Sequence, residues 1–286
     1  YRHTTRIKAK DFVIENEDCT LLSNYKIKVW DSERYEQCIL SNEYQWVSIG
    51  DVHGCIDELK ELLEKLGFKI EGMDLIDTEH SEKIGLIFAG DYVDKSPDEK
   101  ITETIRFLHK NMVVFGDRFQ FLKGNHEDMG WRWATDDPTL EKTPERVAQK
   151  HKWYITSVIM ENDAEIRQMF FDIWDRSKGW VKTIGTDNRG FVATHAPCEV
   201  KYLEKMDKWS FRSQIKCASR SKNAEKSIDE LTPYLMKEAV KNHPVHIFGH
   251  LGQSNVRTFK NKVCIDSGCI YGGSLTAYHV TNGHKP

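Results

Sequence analysis

The sequence predicts an α/β layered fold. Apolar runs of strand length alternate with stretches whose apolar residues recur at helical spacing, and each run ends in a short polar loop. Trp46-Val47-Ser48-Ile49 reads as a buried strand ending in Gly50-Asp51-Val52-His53-Gly54. The helix after it places Ile56, Leu59, Leu62, Leu63 and Leu66 on one face, with Gly67 as its C-terminal cap. A second unit repeats the arrangement: the strand Gly85-Leu86-Ile87-Phe88-Ala89, the exit Gly90-Asp91-Tyr92-Val93-Asp94, then a helix face of Ile101, Ile105 and Leu108. A third begins with Phe119-Gln120-Phe121-Leu122 and exits into Gly124-Asn125-His126-Glu127.

Residues 1–45 form a mixed-charge lead-in with a weak strand pattern around Tyr25–Trp30, and 46–286 form the main domain. Within it, about 128–185 reads as a mostly helical insertion, with Thr143-Pro144 as N-cap and first helical position. Strand signals return at Phe191–Thr194, exiting at His195, and at Val245–Phe248, exiting at Gly249-His250. Thr232-Pro233 marks the start of a helix between them. Lys262–Asp266 and Leu275–Val280 read as two strands around a glycine-rich turn.

Composition narrows the function classes. Of 286 residues, 39% are hydrophobic and 30% charged, as in an ordinary globular protein, and the length allows one large domain or two small ones. A net charge of −3 gives no overall attraction to nucleic acid or membrane, and no basic stripe interleaved with aromatics stands out. Seven cysteines with no CxxC pair point to thiols in a reducing compartment, so a cytoplasmic location is expected. No apolar run approaches the roughly 20 residues of a spanning helix, and no signal-peptide pattern opens the chain. No membrane partner is therefore expected. The first residue is Tyr1, so the chain is expected to be processed or cut from something longer.

The loops carry the chemistry. Divalent cations that polarise phosphate take carboxylate, imidazole and amide oxygen ligands, and two such ions about 3.5–4 Å apart clamp an in-line displacement. Asp51 and His53 share one loop, Asp91 leaves the second strand, Asn125 the third, and His195 and His250 the two later ones. Singly, Asp51 before a loop reads as a turn residue and His195 or His250 as a structural histidine. Jointly, five apolar runs that each stop at a ligand-type residue point to a metal centre, with Asp91 in the bridging position.

The set Gly50-Asp51-Val52-His53-Gly54, Gly90-Asp91-Tyr92-Val93-Asp94 and Gly124-Asn125-His126-Glu127 resembles the three-part signature of calcineurin-like metallophosphoesterases. Thr194-His195 and Gly249-His250 extend the likeness, and residues 265–277 resemble the closing hairpin of the phosphoprotein phosphatase branch. The resemblance covers about residues 46–281. It implies a two-sheet β-sandwich flanked by helices in place of a single doubly wound sheet. It also implies that Asp51, His53 and Asp91 hold one ion and Asp91, Asn125, His195 and His250 the other. The cofactors expected are two divalent metal ions, manganese first, with iron, zinc, nickel or cobalt as alternatives.

By the same resemblance His126 is the general acid, oriented by Asp94, in a phosphomonoesterase that uses a metal-bound water or hydroxide. Lys95, Arg212 and Asn125 are the expected phosphate-binding residues. The chain departs from the family at Lys95-Ser96, where Arg-Gly is usual, so a point charge replaces a planar fork. Lys123 likewise stands where many relatives have arginine. The implied substrate is phosphoserine or phosphothreonine in a protein. The alternative is a nucleotide or nucleic-acid end, suggested by bacterial and phage relatives with Gly-Asp-x-His-Gly-Cys, matched through Cys55. A lesser alternative is an inactive binding module that keeps the fold.

Overall fold

A computed structural model describes residues 36–140, 142–184, 190–217 and 244–280. The chain divides into two units, Tyr1–Ile39 and Leu40–Pro286. The strand expected near Tyr25–Trp30 and the helix expected at Thr232-Pro233 lie outside the described residues. The second unit holds two large sheets, a separate hairpin and the helices that cover them.

One sheet contains β1 (Gln45–Ile49), β4 (Ile84–Phe88), β5 (Phe119–Phe121) and β11 (Ala277–Val280), in the order β11-β1-β4-β5. The core strands β1, β4 and β5 are parallel, and β11 joins β1 antiparallel, Ala277 opposite Ile49. Parallel strands need crossover connections, and the crossovers are helices. These are α1 (Ile56–Lys65) and α2 (Asp98–Phe115). Leu66 caps α1 and Gly67 comes next with φ +96°, the left-handed residue expected there.

Five strands of a second, six-stranded sheet run β6 (Trp180–Thr183), β7 (Phe191–Thr194), β8 (Val245–Phe248), β10 (Lys262–Cys264) and β9 (Arg257–Phe259), in that order. The two-stranded β2 (Lys69–Glu71) and β3 (Asp74–Ile76) stand apart as a hairpin. Alternation along each strand decides which core each side chain enters. Trp46, Ile87 and Leu122 from the first sheet meet Val181, Phe191, Ala193, Ile247 and Val263 from the second. Val47, Ile49, Leu86 and Phe88 point the other way, into a layer with the helices. The result is the two-sheet sandwich with helices outside that the family resemblance implies.

The helical stretch comprises α3 (Asn125–Ala134), α4 (Pro144–Trp153), α5 (Ile155–Asn162) and α6 (Ala164–Arg176). Thr143 caps α4 as expected, its side chain accepting from the Arg146 amide, with Pro144 in the first turn. The last part of the span expected to be helical differs: Trp180–Thr183 is strand β6, because its β-branched and aromatic residues pair antiparallel with β7. A further helix, α7 (Lys208–Lys216), lies after β7.

The closing turn also differs from a hairpin. Residues 262–264 pair within the second sheet and 277–280 within the first, so the glycine-rich segment passes from one sheet to the other. A single bridge, Gly268 to Ser274, is all that joins its two sides as strands do. Burial requires this, since Ile265 enters the core between the sheets while Ala277 packs toward the helix layer.

The helix-side core depends on stacked phenylalanines. Phe88 is 1% exposed, with its ring 5.1 Å from Phe121 and nearly parallel, and 4.8 Å from Phe119. Phe88→Ala is expected to cost about 3–5 kcal/mol of folding stability. A urea unfolding curve reads this as a lower midpoint at unchanged slope; an unchanged midpoint would remove Phe88 from its place at the centre of this layer.

Candidate metal centre

The loops after β1, β4, β5, β7 and β8 bring Asp51, His53, Asp91, Asn125, His195 and His250 together, with all but the half-buried His250 under 9% exposed. Three of these residues adopt left-handed backbone: His53 (φ 45°), Asp91 (φ 50°) and His250 (φ 72°). Such strain in residues with a Cβ is held only where surrounding bonds over-determine it. Here they do. The Asp91 carbonyl accepts the Val52 and His53 amides at 3.1 and 2.9 Å, and the Asp91 amide donates to Glu127 Oε2 at 2.8 Å.

Glu127 closes the third motif, where the family resemblance names no role for it. Fully buried, its carboxylate accepts the amides of Asp91, Tyr92 (3.0 Å) and Gly124 (2.9 Å). Burial and the Asp91 charge push its carboxyl up, and the amide donors work against them. A side chain at position 124 would run into Asp91 Oδ1 at 2.2 Å and Glu127 Oε2 at 2.4 Å, so only glycine fits. The Gly124–Glu127 spacing, that of a helix cap and its third residue, is the sequence signal that points to this role.

Backbone partners fix the histidine tautomers. His195 Nδ1 lies 2.8 Å from the Ala89 carbonyl, which can only accept, so Nδ1–H donates and Nε2 turns a lone pair inward. That nitrogen lies 3.1 Å from Asn125 Oδ1, 3.3 Å from Asp91 Oδ1 and 3.2 Å from His250 Nδ1. One proton among these acceptors satisfies two at most, whereas a cation is shared by all four. His53 Nδ1 likewise donates to the Val93 carbonyl at 2.8 Å, and its Nε2 lies 3.6 Å from Asp91 Oδ2. Mixed nitrogen and oxygen donors with these orientations fit a divalent cation.

Electrostatics point the same way. Burial and the charges of Asp266 and Asp91 push the Asp51 carboxyl well up. Burial pushes Asp91 up too, but His195, His126 and His53 more than offset it and hold that carboxyl well down. Burial and His195 lower His250 to about 3, which keeps its imidazole neutral, as a ligand must be. Carboxylates crowded in this way are relieved by a bound cation.

Beside the cluster, His126 Nδ1 sits 2.8 Å from Asp94 Oδ2. The other Asp94 oxygen accepts the amide and hydroxyl of Thr156 at 2.8 and 2.6 Å, so this fully buried carboxylate is held on both sides. Thr156 lies 62 residues along the chain, at the start of α5, and nothing local in the sequence marks it. His126 Nε2 faces Asp91 Oδ2 at 3.9 Å, and the His53 and Tyr154 rings flank the imidazole at 4.9 and 5.4 Å.

A cleft of about 320 Å³ opens over the cluster, lined by Asp51, His53, Lys95, His250, Asp266 and Tyr271 among others. Lys95 donates to His53 Nε2 at 2.8 Å and lies 5.5 Å from the Tyr271 ring centre. Burial works against its ammonium, but Asp91, Tyr271 and Asp51 outweigh it and raise its pKa. Its neighbour Ser96 is buried and donates to the His53 carbonyl at 2.5 Å, clasping the first ligand loop. Arg212 is half-buried on α7 with its charge toward Asp128, and Lys123 packs over Trp174 at 4.0 Å; neither lines this cleft. Asp266 also lines the cleft, and its sequence signal is that the apolar run Val263-Cys264-Ile265 stops at it as other runs stop at Asp51, Asp91 and His195.

Residues 47–267 match the family described as calcineurin-like phosphoesterase. A bis(5'-nucleosyl)-tetraphosphatase PrpE, asymmetrical, from Oceanobacillus iheyensis is 26% identical over 80% of this chain and 86% of its own length. Among solved structures, a mutant cold-active protein tyrosine phosphatase superposes with a TM-score of 0.53 at 17% identity, covering 88% of this chain and 80% of its own. A diadenosine tetraphosphatase, so described provisionally, gives a TM-score of 0.51 at 14% identity over 86% and 97%. Both likenesses are of fold. No helix among the described residues is long and apolar enough to cross a membrane. The family match spans every loop from Asp51 to His250, and the fold buries on those loops a donor set suited to a divalent cation: the chain belongs to the calcineurin-like phosphoesterase family and is a phosphoric ester hydrolase.

Proposed function

We propose that the chain hydrolyses the phosphoric anhydride or ester bonds of nucleotides at a centre of two divalent ions. Asp51, His53 and Asp91 would hold one ion and Asp91, Asn125, His195 and His250 the other. The observation that carries the metal centre is the convergence of His195 Nε2, Asn125 Oδ1, Asp91 Oδ1 and His250 Nδ1 on one point. The substrate class is supported by the curated relatives named bis(5'-nucleosyl)-tetraphosphatase, matched over most of both chains. The seven cysteines without a paired framework fit a cytoplasmic setting.

Bound ions would polarise phosphoryl oxygens and make water a nucleophile at neutral pH. The protein's own groups do the rest. Asp94 keeps the His126 Nδ1 proton in place, so a second proton on Nε2 is directed toward the cluster and can pass to the leaving oxygen. Thr156 fixes Asp94 in turn. Lys95 brings a cation to the cleft floor beside His53, where a substrate phosphate would meet it as a point charge. Arg212, also expected to grip phosphate, could do so only from beside Asp128.

A second reading, hydrolysis of phosphoserine or phosphothreonine in a protein, is supported by the likeness of residues 265–277 to the phosphoprotein phosphatase branch. The two readings separate in an assay of metal-loaded protein against p-nitrophenyl phosphate, phosphopeptides, 3′-phosphorylated oligonucleotides and dinucleoside polyphosphates. The expected outcome is highest kcat/KM on a dinucleoside polyphosphate. Preference for phosphopeptide or for the oligonucleotide end would overturn the nucleotide assignment and leave the metal centre standing.

Chelator-stripped protein is expected to be inactive and to recover further with Mn²⁺ than with Mg²⁺, since imidazole suits transition metals and Mg²⁺ prefers oxygen. Activity undiminished in excess chelator would sink the two-ion centre.

His126→Ala is expected to keep its metal content but to lose about 10²–10⁴ in kcat on serine phosphate, whose alkoxide leaves poorly. The loss shrinks on p-nitrophenyl phosphate and on a dinucleoside polyphosphate, because their leaving groups are already stable anions. Asp94→Asn shows the same pattern more mildly. Equal losses on all substrates, or a drop in metal stoichiometry, would make His126 a ligand or a positioning residue.

A further inference from the structure

Two thiols meet at the edge of the centre, and the hydrolysis uses neither. Cys55 immediately precedes α1, two residues after His53, and Cys269 opens the short turn Cys269–Tyr271, three residues after Asp266. Their sulfurs lie within 4.8 Å of each other, with a carboxylate oxygen of Glu58 in the same cluster. Cys55 is half-buried; Cys269 is 8% exposed and lines the cleft. Cys38, Cys198, Cys217 and Cys264 are buried. Among the described cysteines, therefore, this pair combines contact between thiols with access from solvent.

Both thiols are held by backbone that the site itself fixes. The Cys55 amide donates to the Val52 carbonyl at 2.9 Å, within the loop that carries Asp51 and His53. On the other side the Gly268 amide donates to Asp266 Oδ1 at 3.0 Å, tying Cys269 to a carboxylate of the cleft wall. A disulfide needs sulfurs at about 2.05 Å, closer than a thiol hydrogen bond allows. Closing the pair would join the first ligand loop covalently to the segment that crosses between the sheets. Metal sites tolerate errors of only about 0.2 Å in ligand placement.

We propose that Cys55 and Cys269 are an oxidisable dithiol whose closure to a disulfide displaces His53 and Asp266 and suppresses hydrolysis. The oxidant is a low-molecular-weight disulfide, R–S–S–R. One sulfur of the pair attacks one of its sulfurs, the R–S–S–R bond breaks and the first R–S⁻ leaves. The other sulfur of the pair then attacks the protein sulfur of the mixed disulfide, forming the Cys55–Cys269 bond and releasing the second R–S⁻. The two thiol protons pass to the two released thiolates, and the protein's two electrons reduce R–S–S–R to two R–SH. Dithiothreitol reverses the sequence.

The test uses the whole metal-loaded chain, incubated with oxidised glutathione and then digested without reduction for mass spectrometry. A linked peptide pair containing Cys55 and Cys269, two hydrogens lighter than its parts, is expected. Turnover of p-nitrophenyl phosphate should fall about tenfold or more, as misplacement near 1 Å does in active sites, and return with dithiothreitol. Cys55→Ser and Cys269→Ser should each lose little turnover of p-nitrophenyl phosphate on oxidation, relative to the same variant kept reduced. Persistent thiols at both positions, a stable glutathione adduct on Cys55 with no closure, or linkage to another cysteine would overturn the proposal. So would a linked pair with full activity, or equal inactivation of the serine variants. If a serine variant fails to fold, alkylation of reduced wild-type protein settles the matter: Cys55 and Cys269 should be labelled before oxidation and protected after it.

Discussion

The centre depends on one buried carboxylate. Glu127 gathers the amides of Asp91, Tyr92 and Gly124, which belong to the exits of two neighbouring parallel strands, and so sets the distance between the loops that carry Asp91 and Asn125. Three accepted hydrogen bonds offset part of the cost of placing this group out of water at 0% exposure. The rest is built outward from that clamp. The Asp91 carbonyl orients the first ligand loop through Val52 and His53, and Asp91 Oδ1 accepts the amide of His126. His53, Asp91 and His126 are thereby tied to one hydrogen-bond system.

Such tying carries a conformational cost. His53, Asp91, Asp94, Lys95 and His250 all have positive φ, and each costs on the order of 1–2 kcal/mol relative to ordinary backbone. The parallel strands that lead to them are buried on both faces, toward the other sheet and toward the helices, so the stabilisation comes from a part of the molecule that does no chemistry. The strained residues are also those whose side chains must converge.

The chain's own departures from the family pattern are compensated locally. Ser96 stands where glycine is usual, and its hydroxyl closes onto the His53 carbonyl, adding a bond to the ligand loop. Gly54 is then required, since a Cβ there would lie 2.6 Å from that of Ser96. Lys95 supplies one positive charge, without an arginine's fork, between His53 and the exposed ring of Tyr271.

Local patterning alone determined the strand–loop–helix units and placed Asp51, His53, Asp91, Asn125, His195 and His250 at strand ends, because strand and helix periodicities and glycine-rich exits are short-range features of the chain. It also determined the caps at Thr143 and Gly67. Tertiary structure decided what depends on distant partners. That 180–183 is a strand results from its pairing with β7, and that the last two strands part into different sheets results from which core Ile265 and Ala277 enter. The inward lone pair of His195 is set by a carbonyl 106 residues away, and Thr156 reaches Asp94 across 62. Glu127 was visible as a letter in a motif, but its three amide partners exist only once parallel strands lie side by side, since hydrogen-bond geometry at a strand end is a property of the sheet.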